Sequence, residues 1–136
     1  MRVIKTTGDG LMVVFGSAVQ AVHCAIEMQR RLSEARLQTA GLCFEHRIGV
    51  HLGDVVLADG DALGDGVNVA ARLQEHADPG GICMSQTVFE VVRSSLGVPV
   101  EGPQRLELKN VETVEAMRIR PPAITPMAPP TPRISA

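Results

Sequence analysis

The sequence predicts an α+β fold, and three observations carry the prediction. Short runs of β-forming apolar residues recur along the chain, with turn signals between them. Elsewhere the apolar residues switch to a spacing of three and four, which is the period of a helix. The two kinds of stretch interleave rather than segregate, so about six strands and two or three helices must share one layered core.

The first element is a hairpin. In "RVIKTTGDGLMVVF" the apolar runs Val3–Ile4 and Leu11–Phe15 flank an Asp-Gly step, and both residues tolerate the positive φ of a tight turn. This predicts strands over 1–6 and 10–15. The turn accounts for Gly8, Asp9 and Gly10 but not for Lys5, four residues before Asp9. "SAVQAVHCAIEMQRRL" then turns helical, with Ala18, Ala21, Val22, Ala25, Met28 and Leu32 on one face. Ser17 and Gln20 have the spacing of a capping box at its start. His23 and Cys24 within it read as packing or surface residues.

"HRIGVHLGDVVLADGD" predicts two strands broken near Leu52–Gly53. His46 and His51, five apart in such a strand, point to opposite faces and cannot share a metal. "GDGVNVAARLQEHA" predicts a helix capped by Asp65 and stopped before Pro79–Gly81. "GICMS" is a short buried strand, with Ser85 placed to cap a helix over "QTVFEVVRSSL". "RLELKNV" and "EAMRI" close the domain as a strand pair. From Pro121 to Ala136 the composition changes: six of the nine prolines lie there, and the segment reads as a disordered tail of polyproline II character. The domain division is therefore 1–120 folded and 121–136 tail.

Composition removes several classes of function. With 13 Lys and Arg against 15 Asp and Glu the formal charge is −2, with no basic block, and three Phe without Tyr or Trp offer no stacking platform for nucleic acid. No run approaches membrane-spanning length, and no secretory signal pattern opens the chain. Cys24, Cys43 and Cys83 lack CxxC spacing and read as reduced thiols in a cytoplasmic domain. There is no GxxxxGK[ST] loop and no GxGxxG opening a helix. "DGDALGDGVNVA" starts like a calcium loop, but Leu63 takes a ligand position and Ala70 stands where a bidentate Glu belongs.

What survives is a polar set that fold economy does not require. Asn68 and Arg72 are four apart, hence on one helical face, amid Val67, Val69, Ala70, Ala71 and Leu73. That composition predicts a largely buried helix, in which an Arg and an Asn need partners. An internal salt bridge or a cap contact would supply them equally well. Asp61 falls just before the helix, in what reads as a loop.

Together these residues resemble the class III nucleotidyl cyclase catalytic domain. The matching stretches are "KTTGDGLMVVF", "HRIGVHLGDVV", "DALGDGVNVAARLQEHADPGGICMS" and "LELKNVETVEAMRI", in family order from Ile4 to Ile119. The resemblance implies a ferredoxin-like βαββαβ core. It also implies conversion of a nucleoside triphosphate to a 3′,5′-cyclic monophosphate and pyrophosphate, with two Mg²⁺ or Mn²⁺ ions. Asp9 matches the metal-binding Asp at the hairpin tip, Asn68 the Asn that orients the ribose, and Arg72 the Arg that meets charge on the phosphates. Lys109 is a weaker match to a Lys near the polyphosphate. Lys5 and Asp61 match the base-reading pair of adenylate cyclases: Lys donates to adenine N1 and Asp accepts from the 6-amino group. Guanine presents the reverse pattern, so ATP is the expected substrate. In the family, the metal carboxylates come from one subunit and the base-reading pair, Asn and Arg from the other, so a homodimer is expected to hold two sites.

The sequence departs from the family in one respect. The family takes a second metal-binding Asp from a first strand, which a helix joins to the hairpin; that strand and helix are not in this sequence. Asp54, Asp59, Asp65 and Asp78 match other positions and do not replace it. The expectation is a cyclase core lacking its first strand and first helix, inactive as this chain. The alternative is a non-catalytic remnant that binds nucleotide or pairs with another cyclase subunit.

Overall fold

Alternation along the strands divides this protein's core in two. The structure, a computed structural model, describes residues 2–7, 10–38, 46–53, 56–58, 61–108 and 113–121; for 2–7, 10–11, 36–38, 56–58, 61–63 and 65 it describes the backbone alone. A hairpin comes first: strand β1 (Arg2–Thr7) pairs antiparallel with β2 (Gly10–Val14), Thr7 facing Gly10. Helix α1 (Ala18–Gln38) follows, six residues longer than the periodic stretch that predicts it. Ser17 caps it as expected, its Oγ accepting the Gln20 N–H at 3.3 Å.

A four-stranded sheet forms the centre. Its order is β3 (Ile48–Val50), β6 (Ile82–Ser85), β8 (Val114–Ile119), β7 (Glu101–Leu106). β3 runs parallel to β6, while β6–β8 and β8–β7 are antiparallel. Between β3 and β6 the chain makes the short hairpin β4 (Val56–Ala58) and β5 (Asp61–Leu63), then helix α2 (Asp65–Glu75). Helix α3 (Gln86–Val92) leaves β6 directly and ends in a 3₁₀ turn, Arg93–Ser95.

Because side chains alternate across a strand, the two faces of the sheet carry different sets. Ile82, Met84, Met117 and Ile119 face Val22, Ala25 and Ile26 of α1 and Val88 and Val92 of α3, with Ile48 and Val50 against them. On the other face Cys83, Ala116 and Leu106 meet Val69, Leu73 and Ala77 of the α2 segment. Gly49 belongs to this second face. A Cβ there would fall inside van der Waals contact of Ala70 O and Gln74 N, so only glycine lets α2 lie this close to β3. At the lower end of the sheet the buried Gln29 amide donates to His46 O at 2.9 Å and Gly81 O at 2.8 Å, tying α1 to the entries of both parallel strands.

Several expectations are corrected. Asp61 is not in a loop; it opens β5, a strand too short to be told from its turn by pattern. Asp65 does not cap α2. Gly64 takes the cap position at φ 135°, a conformation that L side chains rarely adopt, and Asp65 is the first helical residue. α2 is not largely buried: Val69 and Leu73 are buried, but Asn68, Ala71 and Gln74 are exposed, because only one stripe meets the sheet. His46 and His51 do not share a strand; β3 spans only Ile48–Val50 between them. The helix read over "QTVFEVVRSSL" stops at Val92, and the penultimate strand begins at Glu101 rather than at Arg105. Cys83 is buried and Cys24 half-buried; Cys43 and the Pro-rich tail beyond Pro121 lie outside the described residues.

Candidate functional site

Helix α2 carries two of the predicted residues. Asn68 and Arg72 stand one turn apart, on the stripe that the sheet leaves uncovered. Asn68 is exposed. The Arg72 guanidinium is a third exposed (34%) and donates Nη1–H to Glu75 Oε2 at 2.9 Å. Of the two partners the sequence left open for Arg72, the structure supplies the local ion pair. Such an exposed pair contributes about 0–1 kcal/mol, so an anion of higher charge can displace the carboxylate.

Two further predicted residues arrive on neighbouring backbone. β5, which begins with Asp61, runs into α2 and lies beside β1, the strand of Lys5. The fold thus brings the strands of Lys5 and Asp61 and the helix of Asn68 and Arg72 to one region of one chain. Asp9 and Lys109 lie outside the described residues. Among the described residues no three His, Cys, Asp or Glu groups gather as for a metal ion. Each Mg²⁺ takes about six oxygen ligands, so Asp9 as the single assigned carboxylate does not fit a two-ion site.

A second polar cluster lies at the same end of the sheet, and sequence reasoning missed it. The His51 Nδ1 lies 2.8 Å from Ser85 Oγ, and Thr87 Oγ1–H donates to the same oxygen at 3.1 Å. Ser85 occupies the cap position of α3, yet its hydroxyl makes no cap bond; it is taken up by these two neighbours. Burial holds the His51 ring below the usual imidazole pKa, so the neutral ring is favoured. No sequence signal joins residues 34 apart; the parallel β3–β6 register does. On the same face the Cys83 thiol is pushed up by burial, an effect partly offset by the Arg118 guanidinium, whose Nε is buried with no hydrogen-bond partner among the described residues.

A shallow cleft of about 280 Å³ opens beside this cluster, lined by Ser85, Gln86, Thr87, Glu90, Val114 and Glu115. It includes neither Asn68 nor Arg72. Its two carboxylates, Glu90 and Glu115, give it a negative charge that disfavours anionic ligands.

The comparison with known families decides what the fold is. Residues 1–119 match the model of the adenylate and guanylate cyclase catalytic domain. The chain belongs to that family. The α+β core of this cyclase domain also overlays a crystal structure described as an adenylate/guanylate cyclase/hydrolase from Silicibacter pomeroyi. The TM-score is 0.81 at 35% identity, over 88% of this chain and 72% of that one. A Rhizobium meliloti protein named "Putative adenylate cyclase 3" is 44% identical over 82% of this chain and 19% of its own length. The human guanylate cyclase soluble subunit beta-2 is 30% identical over 67% of this chain and 17% of its own. The chain therefore spans about a fifth of the length of these curated relatives. Among the described residues no helix is long and apolar enough to cross a membrane.

Proposed function

We propose that this cyclase domain is of the adenylate type: it binds ATP for conversion to 3′,5′-cyclic AMP and pyrophosphate. The observation that supports this most is the convergence of β1, β5 and α2, which carry Lys5, Asp61, Asn68 and Arg72, within one chain. Each residue type suits its share of the nucleotide. A Lys donor and an Asp acceptor complement N1 and the 6-amino group of adenine, whereas guanine sets donor against donor and acceptor against acceptor. Asn68, exposed on the first half of α2, has both a donor and an acceptor for ribose hydroxyls. Arg72, one turn on, exchanges Glu75 for phosphate oxygens, and its planar guanidinium stabilises negative charge as the α-phosphate is attacked. Lys109 is the remaining candidate cation.

The family reading brings Mg²⁺ or Mn²⁺, which supply charge neutralisation and a more acidic attacking hydroxyl when bound. Asp9 is the one residue assigned to them. The complete site is read as shared between two copies, with Asp9 of one beside Lys5, Asp61, Asn68 and Arg72 of the other. The second reading is a non-catalytic domain that binds nucleotide or pairs with another cyclase subunit. It is favoured by the single metal carboxylate among the matched positions.

The test begins with binding, which does not need a complete metal site. Calorimetric titration of the chain with ATP and GTP should show a preference for ATP. Changing Lys5→Glu together with Asp61→Cys should weaken ATP far more than GTP; an unchanged ratio would show that other residues read the base. Cyclic AMP formation with Mn²⁺ separates the two readings, since the non-catalytic domain binds without turnover.

A further inference from the structure

We propose that His51 is a positioning residue for the nucleotide site: its ring, anchored on Ser85, borders the first turn of α2 beside Gly53 and so sets Asn68 and Arg72. This rests on the reading of those two residues given above. His51 itself is assigned no contact with nucleotide.

The geometry supplies each link. Gly49 faces α2 from β3, while Ile48 and Val50 face the other way; His51 and Gly53 follow directly after the strand. A methyl group on Gly53 would lie 3.4 Å from Gly66 Cα, 3.5 Å from His51 Cδ2 and 3.6 Å from His51 Nε2. The imidazole and Gly66, two residues before Asn68, therefore close on the same side of Gly53, with the space of one methyl group between them. Gly49 meets the second half of α2 backbone on backbone, whereas the first turn is bordered by the His51 ring, a side chain fixed by a hydrogen bond.

The hydrogen-bond directions make the anchor depend on protonation. Thr87 donates to Ser85 Oγ, which leaves the Ser85 proton free to go to His51 Nδ1. This pattern requires the neutral ring, with its proton on Nε2. A protonated ring would turn Nδ1 into a donor, so that Ser85 Oγ would accept from it and pass its own proton to Thr87 Oγ1, reversing that bond. Among the described side chains, Glu90 of α3 and Glu115 of β8 line the cleft beside Ser85, and β6 brings the Ser85 hydroxyl to the ring; Asp65 is the first residue of α2. Desolvation is the cause of the lowered His51 pKa, with no carboxylate holding the proton on.

Two experiments on the full chain test the assignment. Without nucleotide, the amide signals of Gly66, Val67 and Asn68 are followed by NMR while the His51 ring is titrated. The expected result is that all three move with the His51 midpoint; backbone signals indifferent to it would overturn the proposal. With ATP as the probe, His51→Ala should bind about tenfold more weakly at pH 7.5, the equivalent of one net hydrogen bond, and His51→Gln should recover most of that. The affinity of the unaltered chain should fall between about pH 7 and 5.5 more than that of His51→Gln, which shares every effect of the nucleotide's own protonation. Arg72→Ala separates the two levels of the reading. If it weakens ATP while His51→Ala does not, the positioning role fails; if it leaves ATP untouched, the assignment of Arg72 fails and the NMR result alone decides for His51.

Discussion

The two faces of the central sheet do different work. Towards α1 and α3 the strands present Ile48, Val50, Ile82, Met84, Met117 and Ile119, large aliphatic groups that interlock with those helices. Towards α2 they present Gly49, Cys83 and Ala116, with Leu106 on β7 and with His51 and Ser85 at the end where β3 and β6 finish. The first face has the bulk that stabilises a fold. On the second, the small residues of β3, β6 and β8 let a helix lie close, with Leu106 of β7 packed beside them. One face confers bulk and the other sets the height of α2, which carries Asn68 and Arg72.

The largest effect should come from the bulky face. Ile119 is fully buried among α1, α3 and β6, so Ile119→Ala should cost about 2–5 kcal/mol in chemical denaturation. Among molecules still folded, the ratio of ATP to GTP affinity should not change. A changed ratio would break the division between the faces.

On the α2 face a smaller cost in stability should carry a larger cost in binding. Gly49→Ala places a methyl group against Ala70 O and Gln74 N, backbone atoms that cannot turn aside. Overpacking of this kind costs about 1–3 kcal/mol. α2 should lift, and ATP binding should fall out of proportion to the stability lost. Equal affinity in a well-folded Gly49→Ala protein would show that the height of α2 does not matter.

The smallest effect is a dependence of stability on pH. Burial keeps the folded His51 pKa below its unfolded value near 6.5, so the unfolded chain takes up a proton that the folded chain refuses. The stabilisation is complete above about pH 6.5 and is lost as pH falls through the window below it. His51→Gln should flatten that part of a denaturation profile measured from pH 7.5 to 5.5. A slope unchanged by the substitution would assign it to other groups.

Much of this was legible before any coordinates, and the reason is locality. The Asp-Gly hairpin, the Ser17 cap and the buried run Ile82–Ser85 depend on residues within a turn or a strand of one another. Asn68 and Arg72 share a face by the period of the helix, wherever that helix lies. Pattern failed where burial was inferred from composition. Val67, Ala70 and Ala71 made α2 read as largely buried, yet only the stripe of Val69 and Leu73 is covered, since a single sheet lies beneath it.

Other features exist only once distant segments meet. Ser85 has the position of a cap, but the parallel register of β3 and β6 delivers His51 to its hydroxyl, which bonds to that ring and to Thr87 and makes no cap bond. Gly49 carries no local signal at all, because neither a turn nor a positive φ demands it; its need comes from a helix that packs on it some twenty residues later. Side-chain type and spacing are written along the chain, and they put Asn68 and Arg72 on one helical face; Lys5 and Asp61 were singled out by family resemblance. Height, register and hydrogen-bond partner arise from the packing of segments far apart in sequence, and only the tertiary structure decides those.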